Sequence, residues 1–273
     1  MTPSAIPFRP ILIAITLTSA TIALTLPPHG TANATPMSQN HPVSLDHEPS
    51  DVSVFPAAFG DPATCQKFDP IKRYGPVLQF QIRRNDSPVG SHTVNFNRGR
   101  DGLQVVAQTA IDISFFGFNA YSFRYRSESL WRDGELSALS VKVDDDGEMS
   151  NVEAARDQSG LLVSGPDGEE TLPSGIFPTD HWHCGVLGST SVLNTITGKP
   201  NDVDITAKPS AMLSTTNGEL RATQFTYDGE LQTNAWYDRD GRWVGLQFKA
   251  RDGSEITYRC MNCTAQTAFE DRG

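Results

Sequence analysis

The residues able to do chemistry are few and clustered. Cys260-Met261-Asn262-Cys263 carries two thiols at a spacing shared by redox pairs and metal ligands. Asp180-His181-Trp182-His183-Cys184 puts a carboxylate, two imidazoles and a third thiol within one short stretch, and Cys65 stands alone. Zinc takes thiolate and imidazole in a tetrahedral set, so His181, His183, Cys184, Cys260 and Cys263 form a candidate metal site. The C-x-x-C pair ends an alternating stretch instead of opening a helix, which departs from the thioredoxin context. Exported thiols are usually oxidised. The preferred reading is therefore two disulfides, with Cys65 and Cys184 each tied to one of Cys260 and Cys263. Three pairings are open, and spacing does not choose among them.

His181 and His183 flank Trp182 at i, i+2, one face of an extended segment. Asp180 beside them could supply the carboxylate of an acid–base pair. The plainer reading is two polar residues bracketing a buried indole. Asp144-Asp145-Asp146-Gly147-Glu148 looks like a calcium loop, but that register puts Lys142 in the first ligand position and defeats coordination. It reads as a charged hairpin turn. The sequence contains no G-x-S-x-G elbow, no HExxH pair and no phosphate-cradling glycine loop. No catalytic residue is assigned and no cofactor is expected.

Aromatic residues are denser. Phe115, Phe116, Phe118, Tyr121, Phe123, Tyr125 and Trp131 crowd one stretch, and Trp236, Tyr237 and Trp243 another. Most such residues build cores. On a curled sheet they can also line an apolar cavity. Candidate ligand contacts are Phe123, Tyr125, Trp131, Trp236 and Trp243, with Arg124 or Arg126 meeting a polar head group.

The elements that would position these groups are strands. Asp101-Gly102, Asp133-Gly134, Asp146-Gly147, Asp167-Gly168, Asn217-Gly218, Asp228-Gly229, Asp240-Gly241 and Asp252-Gly253 are turn dipeptides, the last four at intervals of 11, 12 and 12 residues. Asx-Gly suits the positive φ angles of a type I′ hairpin turn. Between the turns apolar residues alternate: Leu103, Val105, Ala107, Ile111 and Ile113 share one parity, and Tyr121, Phe123 and Tyr125 another. The expected fold is all-β: an antiparallel meander of about ten or eleven strands, curled by twist into a closed or half-open barrel. Residues 171–200 break the alternation and read as an irregular or partly helical insertion, with a helical turn around Val186–Asn194. Such an insertion serves as a lid, an end plug or a crossover over the core.

Residues 1–34 have the form of a signal peptide. Arg9 precedes an apolar run from Ile11 to Leu26, then Pro27-Pro28 and the small-x-small pattern Ala32-Asn33-Ala34. The run is short for a spanning helix, so a single N-terminal membrane anchor is the alternative, and no membrane span is expected after cleavage. The protein is expected to be periplasmic or secreted. Residues 35–70 are Pro-rich and read as a disordered leader. Residues 71–263 form a single antiparallel β domain, and 264–273 a disordered tail. With 38% hydrophobic residues the chain can fill a large core, which excludes wholesale disorder. A net charge of −10 argues against nucleic acid or an anionic membrane as partner.

Tyr121-Ser122-Phe123-Arg124-Tyr125-Arg126-Ser127-Glu128-Ser129-Leu130-Trp131-Arg132-Asp133-Gly134-Glu135-Leu136 is a distinctive run. With His181-Trp182, Leu193-Asn194-Thr195-Ile196-Thr197-Gly198, Trp236-Tyr237-Asp238 and Arg251-Asp252-Gly253-Ser254, it resembles an exported bacterial family, domain of unknown function 6134, over about residues 77–258. The resemblance implies a cell-envelope setting and an all-β fold. It brings no activity and no catalytic residues, and neither the cysteines nor the leader belong to the matching pattern.

Three functional readings compete. The first is a non-catalytic envelope protein binding a lipid or other apolar or amphiphilic molecule, with the 171–200 segment over the cavity mouth. The second is a structural or interaction module with a solid core and an envelope-protein partner. The third is a metal protein or enzyme centred on His181, His183 and Cys184.

Overall fold

The computed structural model describes Cys65 and residues 68–263. The expected signal peptide, most of the leader and the tail from residue 264 lie outside them. Among the described residues a short helix, α1 (Pro70–Tyr74), leads into the strands. Its start is dictated locally: Pro70 suits the first turn, and the Asp69 carboxylate accepts hydrogen bonds from the Ile71 and Lys72 N–H groups at 3.1 and 3.4 Å.

Eight strands follow: β1 (Val77–Arg84), β2 (Ser87–Gly99), β3 (Gly102–Phe115), β4 (Phe118–Arg132), β5 (Glu135–Asp145), β6 (Glu148–Arg156), β7 (Leu161–Gly165) and β8 (Gly168–Leu172). Next are β9 (Phe177–Pro178), a 3-10 turn at Cys184–Gly188, β10 (Ser191–Leu193), β11 (Pro200–Ala207) and β12 (Ala211–Thr215). The series ends with β13 (Gly218–Gly229), β14 (Thr233–Tyr237), β15 (Trp243–Lys249) and β16 (Glu255–Cys260). All belong to one sheet in the order β8-β7-β6-β5-β4-β3-β2-β1-β16-β15-β14-β13-β11-β10-β9, with β12 also paired to β13. Every pairing is antiparallel except β9 with β10.

The all-β expectation holds, with sixteen strands among the described residues instead of ten or eleven. Two causes account for the difference. The β1–β2 hairpin turns at Asn85-Asp86, with φ of 44° and 67°, and carries no glycine to signal it. The short strands β8, β9 and β10 fall partly or wholly inside the stretch expected to be irregular. The helical turn lies at Cys184–Gly188, not Val186–Asn194. Seven of the eight Asx-Gly dipeptides do mark hairpin turns; Asp228-Gly229 instead ends β13.

The sheet is not closed by hydrogen bonds, yet it must curl. Its two edges, β8 and β9, are joined by Pro173–Ile176 alone, a link that spans at most about 18 Å. The edges accordingly meet. A Cβ on Gly165 would lie 2.7 Å from the Thr197 carbonyl oxygen, and Lys199 pairs with Glu170 across the seam at 3.6 Å. The result is a half-open barrel whose inward positions are the apolar parity of each strand: Leu78, Phe80 and Ile82 on β1, Tyr121, Phe123 and Trp131 on β4.

Residues 179–190 turn inward and plug the interior, with Trp182, Cys184, Val186 and Leu187 buried. All four cysteines are paired, but not as expected: Cys65 bonds Cys184, and Cys260 bonds Cys263. The C-x-x-C pair closes on itself, where Asn262 clamps β1 through the Val77 carbonyl (2.7 Å) and the Gln79 N–H (3.0 Å). Cys65 is left to fasten the leader to the plug. Gly241 makes room for this bond: a Cβ there would lie 2.8 Å from Cys184 Sγ.

The two disulfides close very different loops, with sequence separations of 119 and 3 residues. Long loops restrict the unfolded chain more, so the Cys65→Ser/Cys184→Ser variant is expected to lose about 2–5 kcal/mol. Cys260→Ser/Cys263→Ser should lose distinctly less. Non-reducing urea denaturation measures both, and the reverse order would refute this account.

Candidate functional site

Above the plug the barrel interior is not filled. A cavity of about 120 Å³ lies among β2, β3, β4, β14, β15 and β16, with the plug residues Thr179, Asp180 and His181 as its floor. Its walls are mainly apolar: Phe123, Tyr125, Ile196, Leu231, Trp243, Leu246, Phe248 and Tyr258. The polar groups are His92, Thr109, Thr195, Thr233 and the floor.

The floor is held under strain. His181 has φ of +57°, and the Trp182 N–H donates to the Asp180 carbonyl at 2.7 Å, closing a γ-turn of the rare, strained kind. Buried tyrosines fix it. Tyr237 donates to the His181 carbonyl (2.8 Å) and Tyr74 to the Trp182 carbonyl (2.7 Å), while the Trp243 N–H donates back to the Tyr74 oxygen (2.8 Å). A positive φ at a bulky residue persists only when its surroundings enforce it, and such positions concentrate at functional sites.

His181 packs edge-on against Tyr227 at 5.4 Å, and the Trp243 indole lies 5.6 Å from both His181 and His92. His92 Nδ1 and Thr109 Oγ1 share a hydrogen bond of 2.8 Å. His92 Nε2 and His181 Nδ1 are buried with no protein partner. Burial makes the charged imidazoles unfavourable, holding His92 at about 3, with His181 nearby adding to the effect, and His181 at about 4. Both are neutral at physiological pH. The same desolvation acts oppositely on Asp180 and raises its carboxyl to about 7, although the Trp182 indole N–H donates to it at 3.1 Å. Tyr125, its pKa pushed up to about 12 by burial, donates to Thr195 Oγ1 at 2.9 Å.

The structure divides the residues expected to bind a ligand. Phe123, Tyr125 and Trp243 line the cavity. Trp131 is buried on the far side of the plug, stacked on His183 at 5.8 Å with its indole N–H on Ser129. Arg124 and Arg126 project from the outer face, paired with Asp112 and Glu128 at 2.7 Å each. Trp236 is half-buried on a strand position opposite Gln224. Alternation explains the division, because neighbours in a strand face opposite sides. The metal constellation does not assemble. Its three sulfurs are spent in disulfides, and His183 points away from His181, accepting the Gly185 N–H at 3.0 Å. Asp144–Glu148 is a hairpin turn, in which Asp144 accepts the Gly147 N–H at 2.8 Å.

His92, Thr109 and Tyr258 are cavity residues that sequence reasoning passed over. The signal was parity: His92 alternates with Val94 and Phe96, both buried. A histidine in an apolar series on a curled sheet faces inward.

These features define a class: a half-open antiparallel barrel with an internal plug and a small, mainly apolar cavity above it. Residues 80–261 match the family described as a domain of unknown function, DUF6134, and the chain belongs to that family. Among solved structures it is similar to a beta-barrel-like protein of the domain of unknown function DUF1849 from Brucella abortus. That likeness has 12% identity and a TM-score of 0.47, covering 68% of this chain and 94% of the other. A comparison with curated proteins gives no match.

The titrations make a pH prediction. Asp180 has a raised pKa, so the stability tied to its proton is complete below about 4 and is lost as pH climbs through about 7. His92, His181 and His183 have lowered values, so their contribution is present above about 6.5 and is lost as pH falls towards 4. Three histidines outweigh one carboxyl, which places maximal stability near neutrality. Asp180→Asn should flatten the alkaline side of that maximum and steepen the acid side. Urea midpoints against pH measure this, and a carbon-13 carboxyl titration of Asp180 near 4 would contradict it.

Proposed function

We propose that this is an exported, non-catalytic cell-envelope protein whose barrel binds a small apolar or amphiphilic molecule. The cavity carries the reading: an apolar wall with a few convergent polar groups has the composition of a small-molecule site. Its volume of about 120 Å³ suits a body of roughly benzene size, or one end of a larger molecule, and is too small for a whole lipid. The apolar body would sit against Phe123, Trp243, Leu246 and Phe248, and a hydroxyl, amide or carboxyl group would face Asp180 and His181. Arg124 and Arg126 take no part in this arrangement.

Two disulfides support an oxidising compartment. The sequence pattern of residues 1–34 supports export to it. No helix among the described residues is long and apolar enough to cross a membrane. The non-catalytic reading rests on the use of the hydroxyls: Thr109 is engaged with His92, and Tyr125 with Thr195. The interaction-module reading draws support from the densely filled interior on the other side of the plug, around Trp131, Trp182 and Phe96.

Benzyl alcohol, with one ring and one hydroxyl, is a suitable probe. Millimolar concentrations should raise the melting temperature of the protein, and Leu246→Trp, which fills the cavity, should abolish the rise. Leu162→Trp, at an exposed position away from the cavity, should preserve it. Equal responses of the protein and Leu246→Trp, or no response with native mass spectrometry showing bare polypeptide from the envelope, would reject the proposal.

A further inference from the structure

The two longest strands outrun their neighbours. β2 pairs with β3 only as far as Gly90 opposite Ile111, and β5 pairs with β4 only from Asp145 opposite Phe123. From Ile113 to Tyr121 the two strands pair only with each other, while the Ser122 carbonyl still accepts the Asp146 N–H at 2.8 Å. Ile113 and Tyr121 still pack on the core, and the part beyond them forms an arm that rises about 10 Å, taking the strand rise over three residues. It grows from the part of β4 that supplies Phe123 and Tyr125 to the cavity wall.

The tip chemistry is unusual for a surface hairpin. Phe116 is 85% exposed and Phe118 77%, the two most exposed large apolar side chains among the described residues. Ile113 to Tyr121 contains no charged residue. The turn is Phe116-Gly117 with φ of 49° and 81°, a geometry that Asn, Asp or Gly adopts without strain and phenylalanine does not. Neither solubility nor turn formation accounts for phenylalanine at that position. The first charges on the two strands, Asp112 and Arg124, neutralise each other in an ion pair of 2.7 Å.

We infer that the β3–β4 arm docks the protein onto a zwitterionic lipid surface by inserting Phe116 and Phe118. The available area selects this occupant. A stable protein interface needs about 800 Å² per partner, whereas two phenylalanines on a narrow tip offer at most about 500 Å². A lipid surface has no such threshold, and interfacial elements hold by burying apolar side chains about 5–10 Å deep. The arm reaches that depth while its first ion pair stays in water. Asp144, Asp146 and Glu148 at the neighbouring hairpin, with the net charge of −10, oppose anionic lipid. The inference stands whether or not the cavity binds a ligand.

The test uses the full chain carrying Phe118→Trp and vesicles of phosphatidylcholine brominated in the acyl chains. The introduced indole should be quenched, beyond the signal of the four native tryptophans measured in the unsubstituted protein. Adding Phe116→Asp should weaken partitioning about tenfold or more, from the burial free energy of one phenylalanine. Replacing part of the lipid by phosphatidylglycerol should not strengthen it. Near-UV circular dichroism confirms that the exposed substitutions leave the barrel folded. An unquenched indole on vesicle-bound protein would assign binding to another segment, such as residues 11–26, and overturn the inference. Quenching that appears only with anionic lipid would overturn it equally.

Discussion

Four residues between β8 and β9 set the shape of this molecule. An open antiparallel sheet normally leaves its first and last strands far apart, with both edges in water. Here the chain leaves one edge and enters the other across Pro173–Ile176, so the sheet must roll until the edges meet. Twist in long strands such as β3 and β4 supplies the curvature. The seam has no ladder; it is held by the close approach of Gly165 to Thr197 and the partly exposed Lys199–Glu170 pair. An exposed ion pair contributes little. The seam is thus closed by packing and one ion pair and not by a continuous ladder of backbone hydrogen bonds.

Rolling creates an interior, and the plug creates a second problem. A segment crossing a barrel carries carbonyls away from water, and each needs a donor. Tyr74 and Tyr237 supply two of them, and burial drives their pKa values up so that they remain protonated donors. The Cys65–Cys184 bond adds a covalent anchor at the next turn. A strained γ-turn at His181 can therefore be maintained because the surrounding hydrogen bonds over-determine it.

Much of this was legible in the sequence, for identifiable reasons. Asx-Gly dipeptides encode hairpins because their backbone tolerance matches the turn, and alternation encodes which face is buried. The same alternation also separates Phe123 and Tyr125, which reach the cavity, from Arg124 and Arg126, which cannot. What stayed hidden depends on long-range geometry. Nothing local distinguishes Cys65 pairing with Cys184 from its pairing with Cys260. The hairpin at Asn85-Asp86 lacks glycine, and the phenylalanine at the next turn on that side defies turn preference. Strands as short as β9 and β10 exist only because neighbouring backbone is present to pair with them.

The cavity is best understood through what it costs. Two imidazole nitrogens, His92 Nε2 and His181 Nδ1, are buried without protein partners, so the protein itself does not satisfy them. His181 adds backbone strain, and Asp180 holds a proton at a pH where an exposed aspartate would have lost it. Apolar side chains at His92 and Asp180 would remove the unpaired imidazole nitrogen and the buried carboxyl, whereas the positive φ at residue 181 suits a bulky apolar side chain no better than histidine. Buried polar atoms without a protein partner also occur elsewhere, at Arg83, Arg156, Asn201 and Thr257. At the cavity they coincide with a raised carboxyl and a positive φ in one small space, and that coincidence, not the unpaired atoms alone, sets the region apart among the described residues.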